Sequence, residues 1–337
     1  MSINIVIQNA GTKISQFNGM LHIQHKDGEN KLPLHKINSL QIHKSCLLSS
    51  DALLLALEHG IDVLFVGRKG EVLGRVWNNR FGSISNIRKN QLIFSEVKAG
   101  MEWIKMLLVK KIQHQSALLI TLSRYDRSTD DAIESAIAYL EKYSIKFRES
   151  DAASISEIAD TWRGWEGNCS KKYFACINMH LPDMYRFEKR SQHPAQDIYN
   201  ALLNYAYGML YGKVEGALIK AGLDPFIGVM HRNEYNKPVL AYDVIEVFRH
   251  WADYVVTNLC MQQVFFTDMF DVEGDAWWLN TEGKRILIQG MTDYFEEVVE
   301  LDGSERSRET HISLLCQQLA QQLKNFAEGK TSGNLIA

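Results

Sequence analysis

The sequence predicts an α+β protein: a small N-terminal β-sandwich-like domain with one helix, followed by a larger all-α domain. Three observations carry this. Residues 1–95 hold short apolar or alternating runs separated by Gly and Asn turns, the two-residue period of strands. From about residue 97 the apolar spacing becomes helical and stays so. A length of 337 residues with 46% hydrophobic content is enough for two cored domains. The expected division is 1–90, a linker over 91–97, a helical domain over 98–328 and a disordered tail over 329–337.

In the first domain, residues 3–7, 20–24 and 37–42 read as strands. Asn9-Ala10-Gly11, Asn18-Gly19 and Asp27-Gly28 supply turns between them. Ser49-Ser50-Asp51 caps a helix over 52–59, which Gly60 closes. Residues 61–66 form a buried strand and 72–77 another, with Lys69-Gly70-Glu71 as the turn. A β-domain of this size with an exposed edge is a natural self-association surface. Arg75, Arg80, Arg88 and Lys89 lie in or beside the connecting stretch 78–92. That stretch reads equally as a solvated linker or as a track for DNA phosphates.

In the second domain, Ile104, Leu107, Leu108 and Ile112 recur at helical spacing, with Lys105, Lys110 and Lys111 between them. Ser128-Thr129-Asp130-Asp131 caps a helix over 132–143. A third helical region over 152–174 is expected to break at Gly164 and Gly167. Residues 181–196 carry Arg186, Lys189, Arg190 and His193 beside two prolines, a basic mobile loop that is either merely exposed or a DNA clamp. A long helix over 197–221 stops at Gly222. Asp224-Pro225 turns, the chain stays apolar to Met230 and presents His231, and Pro238 restarts a helix running to about residue 266. Residues 307–328 form an amphipathic helix.

Composition excludes several classes. No apolar run approaches membrane-spanning length and no signal peptide is visible, so a cytoplasmic protein is expected. Five scattered cysteines form no C-x-x-C pair, which argues against a zinc site or a disulfide framework. There is no Walker A pattern, so ATP use is not expected. The net charge is −3, yet residues 1–100 hold 12 Lys and Arg against 7 Asp and Glu. Such local basic excess is what phosphate binding needs, although overall charge does not point to DNA.

Asp243 and Glu246 are three apart and share one helix face among apolar neighbours. Carboxylates there need a cation partner, either Arg249 or a metal ion. Glu166 could cap a helix or pair with Lys171 or Lys172, and His231 could be a satisfied loop histidine.

Four ordered blocks bear on that choice: R-G-x-E-G-x-x-x-x-x-Y-F from Arg163, N-A-L-L-N-Y-A-Y-G-M-L from Asn200, G-L-D-P-F-I-G-V-M-H from Gly222 and D-V-I-E-V-F-R from Asp243. In order and spacing they resemble the CRISPR-associated integrase, the catalytic subunit of the spacer-acquisition machinery, also described as a metal-dependent DNA endonuclease. The resemblance is dense from Glu157 to Arg249 and looser elsewhere. It implies Glu166, His231 and Glu246 as ligands of Mg²⁺ or Mn²⁺, with Asp243 beside them or an occasional ligand. It implies in-line phosphoryl transfer, with a DNA 3′-hydroxyl as nucleophile and water giving nicking at the same site. The implied partners are double-stranded DNA (the incoming fragment and the CRISPR repeat), a second copy of the chain through residues 1–95, and a small ferredoxin-like adaptation subunit. It favours the phosphate track for Arg75, Arg80, Arg88 and Lys89. The competing readings are a transposon-encoded relative and a catalytically silent DNA-binding scaffold. The acids are expected to repel one another without metal, so that single Ala substitutions spare the fold.

Overall fold

The computed structural model describes residues 3–43, 45–67, 72–76, 85–123, 130–231 and 237–326. Two compact units divide at residues 82 and 83.

The first unit is strand-rich. One sheet takes the order β1 (Ile3–Ile7), β5 (Ile37–Ile42), β7 (Asp62–Val66), β8 (Val72–Val76). The other takes the order β4 (Gly28–Pro33), β3 (Met20–His25), β2 (Lys13–Phe17), β6 (Leu47–Leu48). β2 and β3 are joined by the two-residue turn Asn18-Gly19, both at positive φ (48° and 73°), with Phe17 opposite Met20. That twist matches the strands, which is why Asn-Gly marks a hairpin. Helix α1 (Ser50–Glu58) starts where Ser49 accepts from the Ala52 amide. Both sheets and α1 share a core that includes Ile14, Leu21, Leu40, Ala52, Ala56 and Val63.

The second unit is helical: α2 (Ser85–Glu96), α3 (Lys98–Ser123), α4 (Asp130–Glu149), α5 (Ile155–His180), α6 (Ile198–Lys220), α7 (Val239–Ile245), α8 (Arg249–Met261), α9 (Thr281–Glu296) and α10 (Arg308–Asn325). Its spine is α6, which buries residues on nearly every side, among them Tyr199, Leu202, Leu203, Ala206, Leu210 and Val214. A helix apolar all round belongs inside a core. Gly222 at φ 83° ends it as expected. The Leu223 amide reaches back to Leu218 O and that of Gly222 to Ile219 O, closing the orphan carbonyls.

The structure corrects several expectations. Residues 91–96, assigned to a linker, lie inside α2, because Ile87, Gln91, Phe94 and Ser95 bury one face of that helix. α5 passes through Gly164 and Gly167 unbroken, held by the buried Trp162, Cys169 and Tyr173 on its inner side. The helical unit is not purely helical: β9 (Phe270–Glu273) with β10 (Ala276–Leu279), and β11 (Val298–Leu301) with β12 (Ser304–Ser307), form two short hairpins. The helix from Val239 does not run on; it breaks at residues 246–248 between α7 and α8. The Ser128-Thr129 cap and the 329–337 tail lie outside the described residues.

Candidate active site

Five segments of the helical unit meet at one point. α3 brings Lys111, α5 brings Arg163 and Glu166, and the loop 222–231 brings His231. α7 brings Asp243 and ends at Glu246, and α8 opens on Arg249.

The loop is fixed from three sides. Gln91 of α2 donates to Asp224 O and Ile227 O and accepts from the Asp224 amide. Arg163, one turn before Glu166, donates to Met230 O at 2.9 Å. Asp243 does the most. Its Oδ2 accepts from the amides of Val229 (2.6 Å) and Met230 (3.2 Å), and its Oδ1 from the His231 amide (3.2 Å) and Nδ1 (2.8 Å). With both oxygens taken and no exposed side-chain area, Asp243 serves as the anchor of His231. Gly228 allows the tight path: a Cβ there would stand 2.3 Å from His231 O.

Glu166 and Glu246 converge on one cation. The Lys111 Nζ lies 2.5 Å from Glu166 Oε1 and in contact with Glu246 Oε2. Glu246 Oε1 accepts from Arg249 Nε at 2.8 Å, and Arg249 Nη2 donates to the Tyr211 hydroxyl at 2.7 Å. Burial raises the Glu246 carboxyl, but Arg249 and Lys111 outweigh it and hold the group at about 2. Burial opposes the charge on Lys111, and Glu166 with Glu246 raise its pKa nonetheless. For His231 burial again opposes, and Asp243 raises the imidazole above its ordinary value. Cys169 is pushed up to about 12 by burial, which leaves no thiolate nucleophile here.

Among the described residues, no three His, Cys, Asp or Glu side chains stand close enough to hold an ion as placed. The donor set nevertheless suits a hard divalent cation. Two carboxylates from separate elements already share one positive charge. Glu246 Oε2 is buried, and Lys111 is the cation it meets. His231 commits Nδ1 to Asp243, so Nε2 is the ring nitrogen that an ion could take.

Residues 5–293 match the family described as CRISPR associated protein Cas1. This chain belongs to the Cas1 family. Among curated relatives, CRISPR-associated endonuclease Cas1 1 of Archaeoglobus fulgidus is 27% identical over 313 residues, 89% of this chain and 90% of that protein. A CAS1 protein from Thermotoga maritima has a TM-score of 0.79 at 20% identity, over 97% of this chain and all of that one. A casposase bound to integration product has a TM-score of 0.81 at 23% identity, over 97% of this chain and 92% of that one. The two solved structures share the Cas1 fold seen here. The family resemblance read from the four sequence blocks is borne out.

Other basic residues of this Cas1-family chain sort by environment. Arg88 and Lys89 are exposed on α2. Arg75 is not available to a phosphate: its side chain is 4% exposed and donates to Asp62 at 2.7 Å. Arg80 lies outside the described residues. Lys189 is exposed, and Arg186 is exposed beside Asp183. Arg190 is held inward by Asn200 and Asn204, with the Phe174 and Tyr207 rings alongside. The loop 181–196 is therefore pinned rather than mobile. Tyr185 and Phe187 are buried in it, Tyr185 donates to Phe265 O, and Asn200 and Asn204 donate to its carbonyls. A cavity of about 620 Å³ opens beside the site, lined by Lys111, Glu166, Lys171, Phe174, Lys189 and Arg249 among others.

Sequence reasoning passed over Lys111. The visible signal was its place, four residues after Leu107 and three after Leu108, on the core face of α3. It also missed the histidines that hold the break after Glu246. The Nδ1 atoms of His114 and His250 lie 2.9 and 3.0 Å from Val247 O, with the rings 4.2 Å apart. A carbonyl only accepts, so both nitrogens carry hydrogen. Burial lowers both pKa values, that of His250 well below the ordinary range with His114 adding to it. The unfolded chain therefore binds protons more readily, and this stability is complete above about pH 6.5 and lost as pH falls. Wild-type protein is expected to lose more stability between about pH 7.5 and 5.5 than H114Q/H250Q, whose amides donate without titrating. Denaturant midpoints at both pH values check this; equal losses would contradict it.

Proposed function

We propose that this protein is a metal-dependent DNA endonuclease and integrase of CRISPR adaptation, inserting short DNA fragments into the CRISPR array. The observation that carries the reading is the convergence of Glu166 and Glu246 on one cation beside His231, in a chain of the Cas1 family. Relatives named as endonucleases, and a protein of similar fold seen with an integration product, support the two halves of the proposal.

Glu166, Glu246 and His231 Nε2 would hold Mg²⁺ or Mn²⁺. Such an ion polarises a phosphoryl oxygen and lowers the pKa of a bound hydroxyl. The chain supplies the rest. Asp243 keeps His231 in one tautomer and one orientation. Arg249, braced by Tyr211 and Glu246, places a fixed positive charge at the cavity wall, where charge develops on the transferring phosphoryl group. The cavity is large enough for a strand end, and Lys171 and Lys189 at its lining suit phosphates. The nucleophile is a DNA 3′-hydroxyl, or water for nicking, and no covalent enzyme intermediate is needed.

The proposed partners are double-stranded DNA, a second copy of the chain through its strand-rich unit, and a small ferredoxin-like adaptation subunit. The proposed location is the cytoplasm; no helix among the described residues is long and apolar enough to cross a membrane. The test is an integration assay with a short duplex, a repeat-containing target, Mn²⁺ or Mg²⁺ and the small subunit. Product joined at the repeat, lost on chelation, supports the reading; DNA bound but never cut or joined would favour a silent scaffold.

Arg88 and Lys89 are the exposed phosphate candidates on α2. Reversing both to Glu is expected to weaken binding to all sequences alike. It should reduce the slope of log affinity against log salt by about 2, near 0.9 per lost contact. An unchanged slope would take them out of the interface.

A further inference from the structure

The Lys111 side chain is 6% exposed, on the inner face of α3 among Leu107, Leu108 and Ile112. A buried ammonium must be paired, and its partners are Glu166 and Glu246. These are the two carboxylates assigned above to the metal. Glu246 has a second partner in Arg249, whereas among the described residues Glu166 forms its ion pair with Lys111 alone. With Nζ in contact with one oxygen of each carboxylate, the ammonium occupies the position between them from which an ion would bridge the same two oxygens. We infer that Lys111 is the resident counter-ion of this site, holding Glu166 and Glu246 together in the metal-free protein and giving up that position when a divalent cation binds.

The local structure gives it somewhere to go. Lys111 lines the 620 Å³ cavity with Gln115, Arg249 and Asp253. Its flexible four-carbon stem lets the charge swing into that space while the helix stays in place. The chain thereby keeps the two acids converged without metal, at the cost of competing with the ion for them. The competition also selects for divalent over monovalent ions, since only a higher charge outbids an ammonium already in contact.

This inference rests on the metal-binding reading of Glu166 and Glu246. The test is Mn²⁺ affinity, by calorimetry on the full metal-free chain, with melting curves in the absence and presence of Mn²⁺. Wild type, K111M, K111Q, K111R and E246Q are compared. K111M and K111Q are expected to bind Mn²⁺ about tenfold or more tightly than wild type, to melt lower without metal and to gain more from Mn²⁺. K111R keeps the charge and should bind no more tightly than wild type. Unchanged or weaker affinity in K111M and K111Q overturns the counter-ion role. If neither variant folds, wild-type crystals grown with Mn²⁺ decide. Lys111 Nζ out of reach of both carboxylates supports the exchange, and an ammonium still bridging them overturns it. E246Q separates the two claims. If it fails to weaken Mn²⁺ binding, the metal site itself is wrong; if it weakens binding while the Lys111 variants do not, only the counter-ion role falls.

Discussion

Glu246→Gln is expected to lower metal-dependent cleavage and strand transfer by about a thousandfold or more, since a lost ligand misplaces the Lewis acid. It is also expected to destabilise the fold. Glu246 is 7% exposed in its side chain and faces both Arg249 and Lys111. Removing its charge leaves Arg249 with Tyr211 and Lys111 with Glu166. Breaking a buried pair in this way costs about 3–5 kcal/mol. Glu166→Gln should be as inactive but milder in stability, because Glu166 is 27% exposed and pairs with one of the two cations. This reverses the expectation from sequence that the acids repel and that removing one spares the fold. Single-turnover cleavage and denaturant unfolding of both variants check it. An active Glu246→Gln protein, or one as stable as wild type, would contradict the assignment.

Asp243→Ala should damage the site through the loop rather than through the metal. Three backbone amides and the His231 ring lose their acceptor at once. A buried donor left unpaired costs about 1–3 kcal/mol, so the loss should reach several kcal/mol. Activity should fall by about 10–100-fold, the range for groups that orient a ligand. Asp243→Asn, which keeps an acceptor oxygen, should lie between Asp243→Ala and wild type in both measurements. The decisive comparison is rate against stability: Asp243→Ala should be the less inactive and Glu246→Gln the more inactive, with both destabilised. A Glu246-like loss of rate at full stability would make Asp243 a direct ligand instead.

Much of the fold was legible because it rests on local rules. Asn18-Gly19 requires positive φ at both residues, and Gly222 supplies the left-handed stop after α6. Glu166, His231, Asp243 and Glu246 were legible as a group only through the ordered blocks that carry the family resemblance. What local rules missed depends on tertiary partners. Gly164 and Gly167 should weaken α5, but the packing of Trp162 and Tyr173 overrides propensity. The stop between α7 and α8 carries no Gly or Pro; its free carbonyl at Val247 is satisfied by His114, more than a hundred residues earlier in the chain. The basic loop looked mobile because its charges are visible in sequence and its anchors, Asn200 and Asn204, lie on the next helix. In sequence Lys111 is one of three lysines between the apolar positions of its helix, and its role depends on two carboxylates that arrive from α5 and α7.

An anomalous difference map at the manganese edge, from crystals of the wild-type protein grown with Mn²⁺, locates the ion directly. One strong peak is expected, bounded by Glu166, Glu246 and His231 Nε2, with Asp243 still bound to the His231 ring. A peak elsewhere in the helical unit, or ligation that omits both glutamates, would contradict it.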